Sequence, residues 1–444
     1  MTNTYYLLFL LVASIGFIVW VTAYKKLHAF FALLAAALGV GLLSGMPLNN
    51  MVSILKTGFG HTMEKIGLLI ILGTSLGVIL EKTGATISMA NAILKKVKDK
   101  NAPIAIALTG FIVGLPIFCD SGFIILSGLN HSLVKKTNHR MPVMAAALAT
   151  SLYAVHCLVP PHPGITAAVG TAAGDIGKVM LWGIALAVPA AIIGFLWSNY
   201  RGKRTMHEYI APEDVHAEVK QLPAAWLSFL PVILPIILIA AKSVLTLEAD
   251  IAAKNIFYQT ISFIGSPEIA LLIALLSSFL LIKKENLSSA SNWLAEAVEK
   301  AGMILAIIAG GGMFGEMMQA TGMGENLGGL LKGFSLGIFF PFIITAILKT
   351  AQGSSTVAII TAASLVTPLL AQLGLHSATG NTLAILSMGA GSMVVSHAND
   401  AYFWVISRFS NLTTAAALKV YSTATLVMGL TVQLMIWLLH IILK

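Results

Sequence analysis

The feature that most constrains this chain is a series of apolar segments, each about 18 to 25 residues long, joined by shorter polar connections. An α-helix needs about 20 apolar residues to cross the hydrocarbon core of a bilayer, which is roughly 30 Å thick. Only 10% of the residues are charged, whereas about a quarter are charged in a water-soluble domain. Strand-like alternation of polar and apolar residues is absent. The sequence therefore predicts an all-α polytopic membrane protein that lies mainly in lipid.

The polar residues exclude several other classes of protein. The formal net charge is +9, but the basic residues are scattered through short connections and form no patch for a nucleic acid. Cys119 and Cys157, the two cysteines, lie in apolar segments without metal-ligand spacing, so we expect no metal and no cofactor. No hydrolase, metalloprotease or ATP-binding motif occurs. We therefore expect that the protein is not an enzyme and that any transport uses a gradient.

The basic residues also orient the apolar segments, because Lys and Arg are retained on the cytoplasmic side. The segment Ala102 to Leu133 has basic residues at both ends, so it is predicted to enter and leave on that side as a re-entrant hairpin. Its turn is predicted at Gly114 to Gly122, where Gly and Pro interrupt the apolar run. A second hairpin, Phe334 to Leu373, is predicted to open outside, with its tip at Gln352 to Thr356.

Two further apolar runs are predicted to be broken helices. The first is interrupted by PPHPG at Pro160 to Gly164, and the second by SHANDA at Ser396 to Ala401. Two amphipathic stretches, Asn49 to Lys65 and Leu287 to Lys300, are predicted to lie on the membrane surface, each followed by a separate span.

The same order of segments occurs twice with opposite orientation, which predicts two inverted-topology repeats with a solute site between them. A constant shift pairs identical residues of the two halves, such as His162 with His397. The predicted units are an N-terminal helix (1–26), a first inverted repeat (27–200), a cytoplasmic linker (201–224), a connecting helix with an outer segment (225–263), and a second inverted repeat (264–444).

The first hairpin contains the candidate residues Asp120, Ser121 and Gly122. A carboxylate at the bilayer centre costs at least about 2.5 kcal/mol on insertion scales, so Asp120 needs compensation. Asp120 is predicted to accept the driving proton or contact the solute, or to cap the returning helix. Ser121 and Gly122 follow at a helix start, where free N–H groups suit an anionic ligand.

The two breaks supply further candidates. His162 is predicted either to relay protons or to bind carbonyl groups that the break frees, with Pro161 and Gly164 beside it. In the second break, Asp400 is a candidate for charge compensation or proton transfer, and His397 and Asn399 accompany it.

The tip of the second hairpin offers hydroxyl groups and free N–H groups, which suit a polyhydroxylated or carboxylated solute. The alternative is ordinary hydroxyl capping of a helix start. The candidate residues of this tip are Gly353, Ser354, Ser355 and Thr356.

Three blocks of sequence resemble the gluconate permease (gluconate:proton symporter) family, within the ion transporter superfamily. They are GLPIFCDSGFIILSGL (Gly114 to Leu129), VPPHPGITAAVG (Val159 to Gly170) and SHANDAYFW (Ser396 to Trp404). The resemblance covers essentially the whole chain. It implies proton-coupled uptake of gluconate or a related sugar acid or hydroxy acid across the bacterial inner membrane. The superfamily implies an elevator-type homodimer whose mobile domain carries both hairpins.

The sequence thus predicts a symporter that binds one small anionic solute and protons between the hairpin tips and the two breaks. D-serine or another small organic acid is an alternative solute. A passive channel and a membrane-embedded enzyme are alternatives from other classes. A channel would show no accumulation against a gradient, and an enzyme would return the solute chemically altered.

Overall fold

In the computed structural model, the described residues are 4–95, 97, 101–137, 139–205, 222–245, 256–322 and 336–443. All regular secondary structure in these ranges is helical. Most of the predicted cytoplasmic linker and part of the predicted outer segment lie outside them, as does the start of the predicted second hairpin. Lys96, Lys98 and Lys100, which are among the basic residues before the predicted first hairpin, also lie outside them.

The described part of the first half contains nine α-helices, of which α1 continues into a π-helical turn at Trp20–Tyr24. They are α1 (Thr4–Val19), α2 (Ala29–Leu43), α3 (Leu48–Lys82), α4 (Ala85–Leu94), α5 (Ala102–Gly114), α6 (Cys119–Thr137), α7 (Met141–Leu158), α8 (Pro163–Thr171) and α9 (Ile176–Lys203).

The described part of the second half contains ten more. They are α10 (Ala225–Leu245), α11 (Ile256–Ile264), α12 (Pro267–Ser278), α13 (Leu287–Ala320), α14 (Phe339–Gln352), α15 (Ser355–Val366), α16 (Ala378–Met393), α17 (Ala401–Phe409), α18 (Thr414–Ala417) and α19 (Thr423–Ile442). A π-helical turn, Leu418–Ser422, joins α18 to α19.

Among the described residues, 6 helices are long and apolar enough to cross a membrane, or up to 7 if the bent pair α11 and α12 counts as one span. The broken helix α7–α8, residues Met141–Thr171, is buried over its whole apolar window. This helix therefore lies at the centre of the protein, and the other spans surround it. The all-helical membrane architecture that the composition predicts is confirmed.

Helices α3 and α13 are continuous, with 35 and 34 residues. The amphipathic pattern predicts a surface stretch followed by a separate span in each place, and this prediction is wrong. No proline occurs at the predicted joints, Lys65 to Ile66 and Lys300 to Gly302, so no helical hydrogen bond is lost there. At about 1.5 Å per residue, each helix is about 50 Å long, which exceeds the thickness of the hydrocarbon core.

Glycine allows α3 and α13 to cross at close range. A Cβ atom added at Gly58 would lie 2.5 Å from the carbonyl oxygen of Gly312 and 2.8 Å from the Cα of Met313. Both neighbours are backbone atoms, so they cannot move aside as a flexible side chain would. Such small-residue contacts are the usual way in which membrane helices approach closely.

Gly58→Ala is expected to destabilise the protein by about 1 to 3 kcal/mol, because the added methyl group would push the two backbones apart. Thermal unfolding of the purified protein would measure the change. The control is Gly60→Ala in the same helix, since a Cβ there meets nothing within 4 Å. This control is expected to stabilise α3 slightly, by up to about 1 kcal/mol. Equal effects of the two substitutions would contradict the close crossing.

The order of a long helix, a helix pair, a broken helix and a further long helix occurs once in each half. In the first half these are α3, the pair α5 and α6, the broken helix α7–α8, and α9. In the second half they are α13, the pair α14 and α15, the broken helix α16–α17, and α19. His162 directly precedes α8 as its N-cap residue, and Asp400 directly precedes α17 in the same way. Asp400 and His162 thus take the same place relative to the helices that follow them. The pairing of His162 with His397 by a constant shift stays a prediction.

Candidate functional site

The first helix pair turns at residues 115–118, inside the predicted turn, and Asp120 lies in the first turn of α6. The Asp120 side chain is exposed, and the Cys119 thiol donates to its Oδ1 at 3.7 Å. This thiol is the one hydrogen-bond partner recorded for the carboxylate among the described residues. Ser121 is half-buried, and Gly122 is buried against Leu152 of α7. Asp120 is thus a carboxylate at a helix start with most of its hydrogen-bonding capacity unused.

His162 connects the first break to the first helix pair. Its Nε2 lies 2.8 Å from the carbonyl oxygen of Gly114, the last residue of α5, and its side chain is only 3% exposed. Since a carbonyl oxygen only accepts, Nε2 carries a proton and donates. Pro161 precedes His162 and is half-buried, in a cis peptide bond with Pro160. This contact matches the second of the two predicted roles for His162, the binding of a carbonyl group freed by a helix end.

The tip of the second helix pair has only two residues between α14 and α15. Gly353 has a φ of +82°, a conformation that L side chains rarely adopt. Ser354 Oγ accepts a hydrogen bond from the Val357 N–H at 3.3 Å, so Ser354 caps α15. Ser355 is buried, whereas Thr356 is half-buried and its Oγ1 lies 3.5 Å from His156 Nε2. The capping role considered for this tip therefore belongs to Ser354.

Gly353→Ala is expected to destabilise the protein by at least about 1 to 2 kcal/mol, the cost of a left-handed conformation for a residue with a Cβ. The loss is expected to be larger because that Cβ would also overlap the carbonyl oxygen of Asn399. Thermal unfolding and solute uptake in vesicles would measure both consequences. Gly128→Ala is the control, because a Cβ there meets nothing within 4 Å. A Gly353→Ala variant as stable as this control would contradict the described tip.

The second break contains a buried ion pair. Lys349, in the last turn of α14, is fully buried, and its Nζ lies 2.7 Å from Asp400 Oδ2. Nζ also donates to the carbonyl oxygen of Gly353 at 2.9 Å. The Ser396 hydroxyl donates to the same Asp400 oxygen, and the Tyr402 N–H donates to Asp400 Oδ1 at 2.9 Å. Asp400 is therefore a fully bonded carboxylate that caps α17 and neutralises a lysine.

His397 and Asn399 hold the second break against the end of α14. The Asn399 amide donates to the carbonyl oxygen of Thr350 at 2.7 Å, and His397 Nε2 lies 3.2 Å from the same oxygen. Both side chains thus bind a backbone carbonyl group that the end of α14 leaves without a helical partner. Their contacts in the structure position the second tip.

The two tips and the two breaks lie together in the structure. A Cβ added at Gly164, in the first break, would lie 3.1 Å from the Thr356 Cα at the second tip. On the other side, Phe123 of α6 and Tyr402 of α17 have ring centroids 6.2 Å apart. The N-terminal ends of α6, α8, α15 and α17 therefore all belong to this region, and the partial positive charge at such ends favours an anion.

Several buried polar atoms near the second tip have no hydrogen-bond partner among the described residues. They are His156 Nδ1, Asn399 Oδ1, and both polar atoms of the Gln352 amide. A buried polar atom without a partner is costly, so such atoms indicate a place where another polar group binds. Among the described residues, no group of His, Cys, Asp and Glu could hold a metal ion.

Sequence reasoning missed two residues of this region. Lys349 stands in the apolar run IITAILKTAQ, and a charged residue inside such a run is itself a signal of function that could have been used. His156 is 8% exposed, and its ring is tilted against that of His162, with ring centroids 4.9 Å apart. It lies four residues before the PPHPG block, in a run that otherwise looks like helix core.

Comparisons with known proteins agree with this architecture. The profile of the family described as GntP family permease matches residues 5–442. The gluconate permease of Pseudomonas aeruginosa is 32% identical over 99% of this chain and 99% of its own length. The low-affinity gluconate transporter of Escherichia coli K12 is 30% identical over 94% of each chain.

A solved structure is also similar in fold. The YdaH transporter of Alcanivorax borkumensis has a TM-score of 0.64 to this chain, with 92% of this chain and 98% of that chain covered. The sequence identity is 13%, so this likeness concerns the fold alone.

Proposed function

Because this chain belongs to the GntP permease family, we propose that it takes up gluconate, or a related small sugar acid or hydroxy acid, by symport with protons. Members of this family are transporters and not enzymes. The chain is a multi-pass protein of the bacterial inner membrane. The observation that carries the proposal is the meeting of the two helix breaks and the two tips in one polar region.

The anionic character of the solute is supported by the helix starts of this region. The starts of α8 and α15 are in contact where Gly164 meets Thr356, and the partial positive charge at helix starts favours an anion. The unpartnered atoms of His156 and Gln352 suit hydroxyl groups of the solute. A sugar acid has both kinds of group, a carboxylate for the helix starts and hydroxyls for the side chains. D-serine or another small organic acid would satisfy fewer of these atoms.

We assign the transported proton to Asp120. Of the carboxylates in the region, Asp400 is bound by Lys349, Ser396 and the backbone, whereas Asp120 is exposed and bound by one thiol. A group that binds and releases protons during each cycle needs such access. His162 is less suited, since its Nε2 is already bound to the Gly114 carbonyl.

The two halves are proposed to be inverted repeats that form an elevator-type transporter, in a homodimer. The recurring order of helices supports the repeats, with α8 and α17 each following a broken-helix turn and each 9 residues long. The unit boundaries proposed from the sequence follow from the same order. Alternating access would then move the helix pairs relative to the long helices α3 and α13.

The test is uptake of labelled gluconate, glycerate and D-serine by proteoliposomes that contain the purified protein, with and without an imposed pH gradient. A monoanion carried with one proton is electroneutral, so one pH unit supplies about 1.4 kcal/mol, or about tenfold accumulation. Uptake that ignores the pH gradient and follows sodium would refute proton coupling. Transport without accumulation under any gradient would identify a channel, and chemically altered solute would identify an enzyme.

A further inference from the structure

We propose that Lys349 is a tethered cation, whose ammonium group occupies an oxygen-lined cation site between the second tip and the second break. The chain then needs no sodium ion at this place. This inference rests on the proposed transport function, and it adds a reason why such a transporter would use protons and not sodium.

Two oxygen atoms of the protein bind the Lys349 ammonium group. The carbonyl oxygen of Gly353 lies 2.9 Å away and the carboxylate oxygen of Asp400 lies 2.7 Å away. The hydroxyl oxygen of Ser396 is bound to the same carboxylate oxygen. Carbonyl, carboxylate and hydroxyl oxygens are the ligands that hard metal cations prefer. The ammonium group therefore stands where a bound monovalent cation could stand.

The surroundings allow no exchange of the ammonium group with water. Lys349 is 0% exposed and Asp400 is 6% exposed, so the two charges are enclosed together. A buried carboxylate needs a compensating positive charge, and here the chain itself supplies it. Any mobile cation would have to displace a covalently attached one, whose local concentration cannot be matched in solution.

The position of the site links it to transport. Gly353, which provides the carbonyl oxygen, is the first residue of the second tip. Asp400 caps α17, and its neighbour Asn399 binds the Thr350 carbonyl. The cation therefore joins the end of α14 to the start of α17, directly behind the proposed solute region. A cation at this place sets the relative positions of a tip and a break.

A simple structural ion pair is the competing explanation, and the two differ in one respect. If Lys349 only holds two helices together, its removal lowers stability and uptake equally in every salt. If the lysine replaces a mobile cation, then its removal leaves an oxygen-lined space, and a small monovalent cation can fill that space. Sodium should then restore the uptake and the stability that the substitution of Lys349 lowers.

The test compares wild type with Lys349→Ala in proteoliposomes, with sodium or N-methyl-D-glucamine as the external cation, at one pH gradient and zero membrane potential. Wild-type gluconate uptake is expected to be the same in both salts. Uptake by Lys349→Ala is expected to be low without sodium and to rise by about tenfold, with saturation, when sodium is added. The matched control, Lys349→Ala with Asp400→Asn, lacks the carboxylate and is expected to gain nothing from sodium.

A second readout keeps the proposal open to refutation if the variant transports poorly. Thermal unfolding of purified Lys349→Ala is expected to shift upward in sodium chloride but not in choline chloride of equal concentration. Sodium-dependent uptake by wild type would overturn the proposal. Equal uptake and equal unfolding temperatures of Lys349→Ala in both salts would also overturn it. A third outcome would do the same: Lys349→Ala fails to fold in sodium, whereas the double variant Lys349→Met with Asp400→Asn folds.

The unfolding experiment also separates this inference from the proposed function. If wild type moves no gluconate but sodium stabilises Lys349→Ala, the proposed solute is wrong and the cation site stands. If wild type accumulates gluconate with the pH gradient but sodium has no effect on the variant, the proposed function stands and the tethered cation is rejected.

Discussion

Replacing Asp120 with asparagine is expected to abolish the accumulation of gluconate that a pH gradient drives, while exchange of labelled for unlabelled gluconate continues. Asparagine has nearly the shape of aspartate but does not bind and release a proton at neutral pH. At a gradient of one pH unit, the expected loss is the whole of a roughly tenfold accumulation. Proteoliposomes with an acidic exterior would measure accumulation, and the same vesicles without a gradient would measure exchange.

The matched control for this experiment is Asp175→Asn. Asp175 Oδ1 accepts a hydrogen bond from the Lys178 N–H at 3.0 Å and so caps α9, and the residue is exposed and lies outside both helix breaks. Asparagine caps helices about as well as aspartate, so this variant is expected to transport normally. Normal accumulation by Asp120→Asn would return Asp120 to the alternative role, a negative charge that stabilises the start of α6.

Replacing Asp400 with asparagine is expected to lower the free energy of unfolding by about 3 to 5 kcal/mol, because it leaves the Lys349 ammonium group buried without its counter-charge. The Lys349 side chain is 0% exposed, so water cannot replace the lost partner. Thermal or denaturant unfolding in detergent would measure the loss. Adding Lys349→Met to Asp400→Asn is expected to restore much of it, since the second substitution removes the unpaired charge.

The control ion pair is Lys82 with Glu296, which joins α3 to α13 at 2.9 Å. About a third of each side chain is exposed, so water screens both charges. Glu296→Gln is expected to cost no more than about 1 kcal/mol. If Asp400→Asn cost as little as this control, then the pair behind the second tip would not be buried in solution, and the described packing would be wrong.

The positions of the breaks could be predicted from the sequence because proline and glycine act locally. Pro160 and Pro161 have no N–H to donate into a helix and α7 ends at Leu158, whereas Pro163 begins α8. Gly353 ends α14 in the same way, through a conformation that other residues avoid. Such signals need no knowledge of the rest of the fold. The low fraction of charged residues and the long apolar segments were also sufficient to predict an all-helical membrane protein.

The pairing of Asp400 could not be predicted, because its partner is 51 residues away in the chain. From the sequence, Asp400 was a candidate for charge compensation or proton transfer, and in the structure it compensates the charge of Lys349. The continuity of α3 was missed for a related reason. Amphipathic residues predict that one face meets water or headgroups, but they do not determine whether the helix stops before the next apolar segment.

The contacts across the site also bear on whether either half is sufficient by itself. Gly164 of the first half rests on Thr356 of the second, and Tyr402 of the second half packs on Phe123 of the first. Each half thus supplies residues of this region that the other half lacks. A chain cut between the halves would therefore need both pieces together to enclose this region.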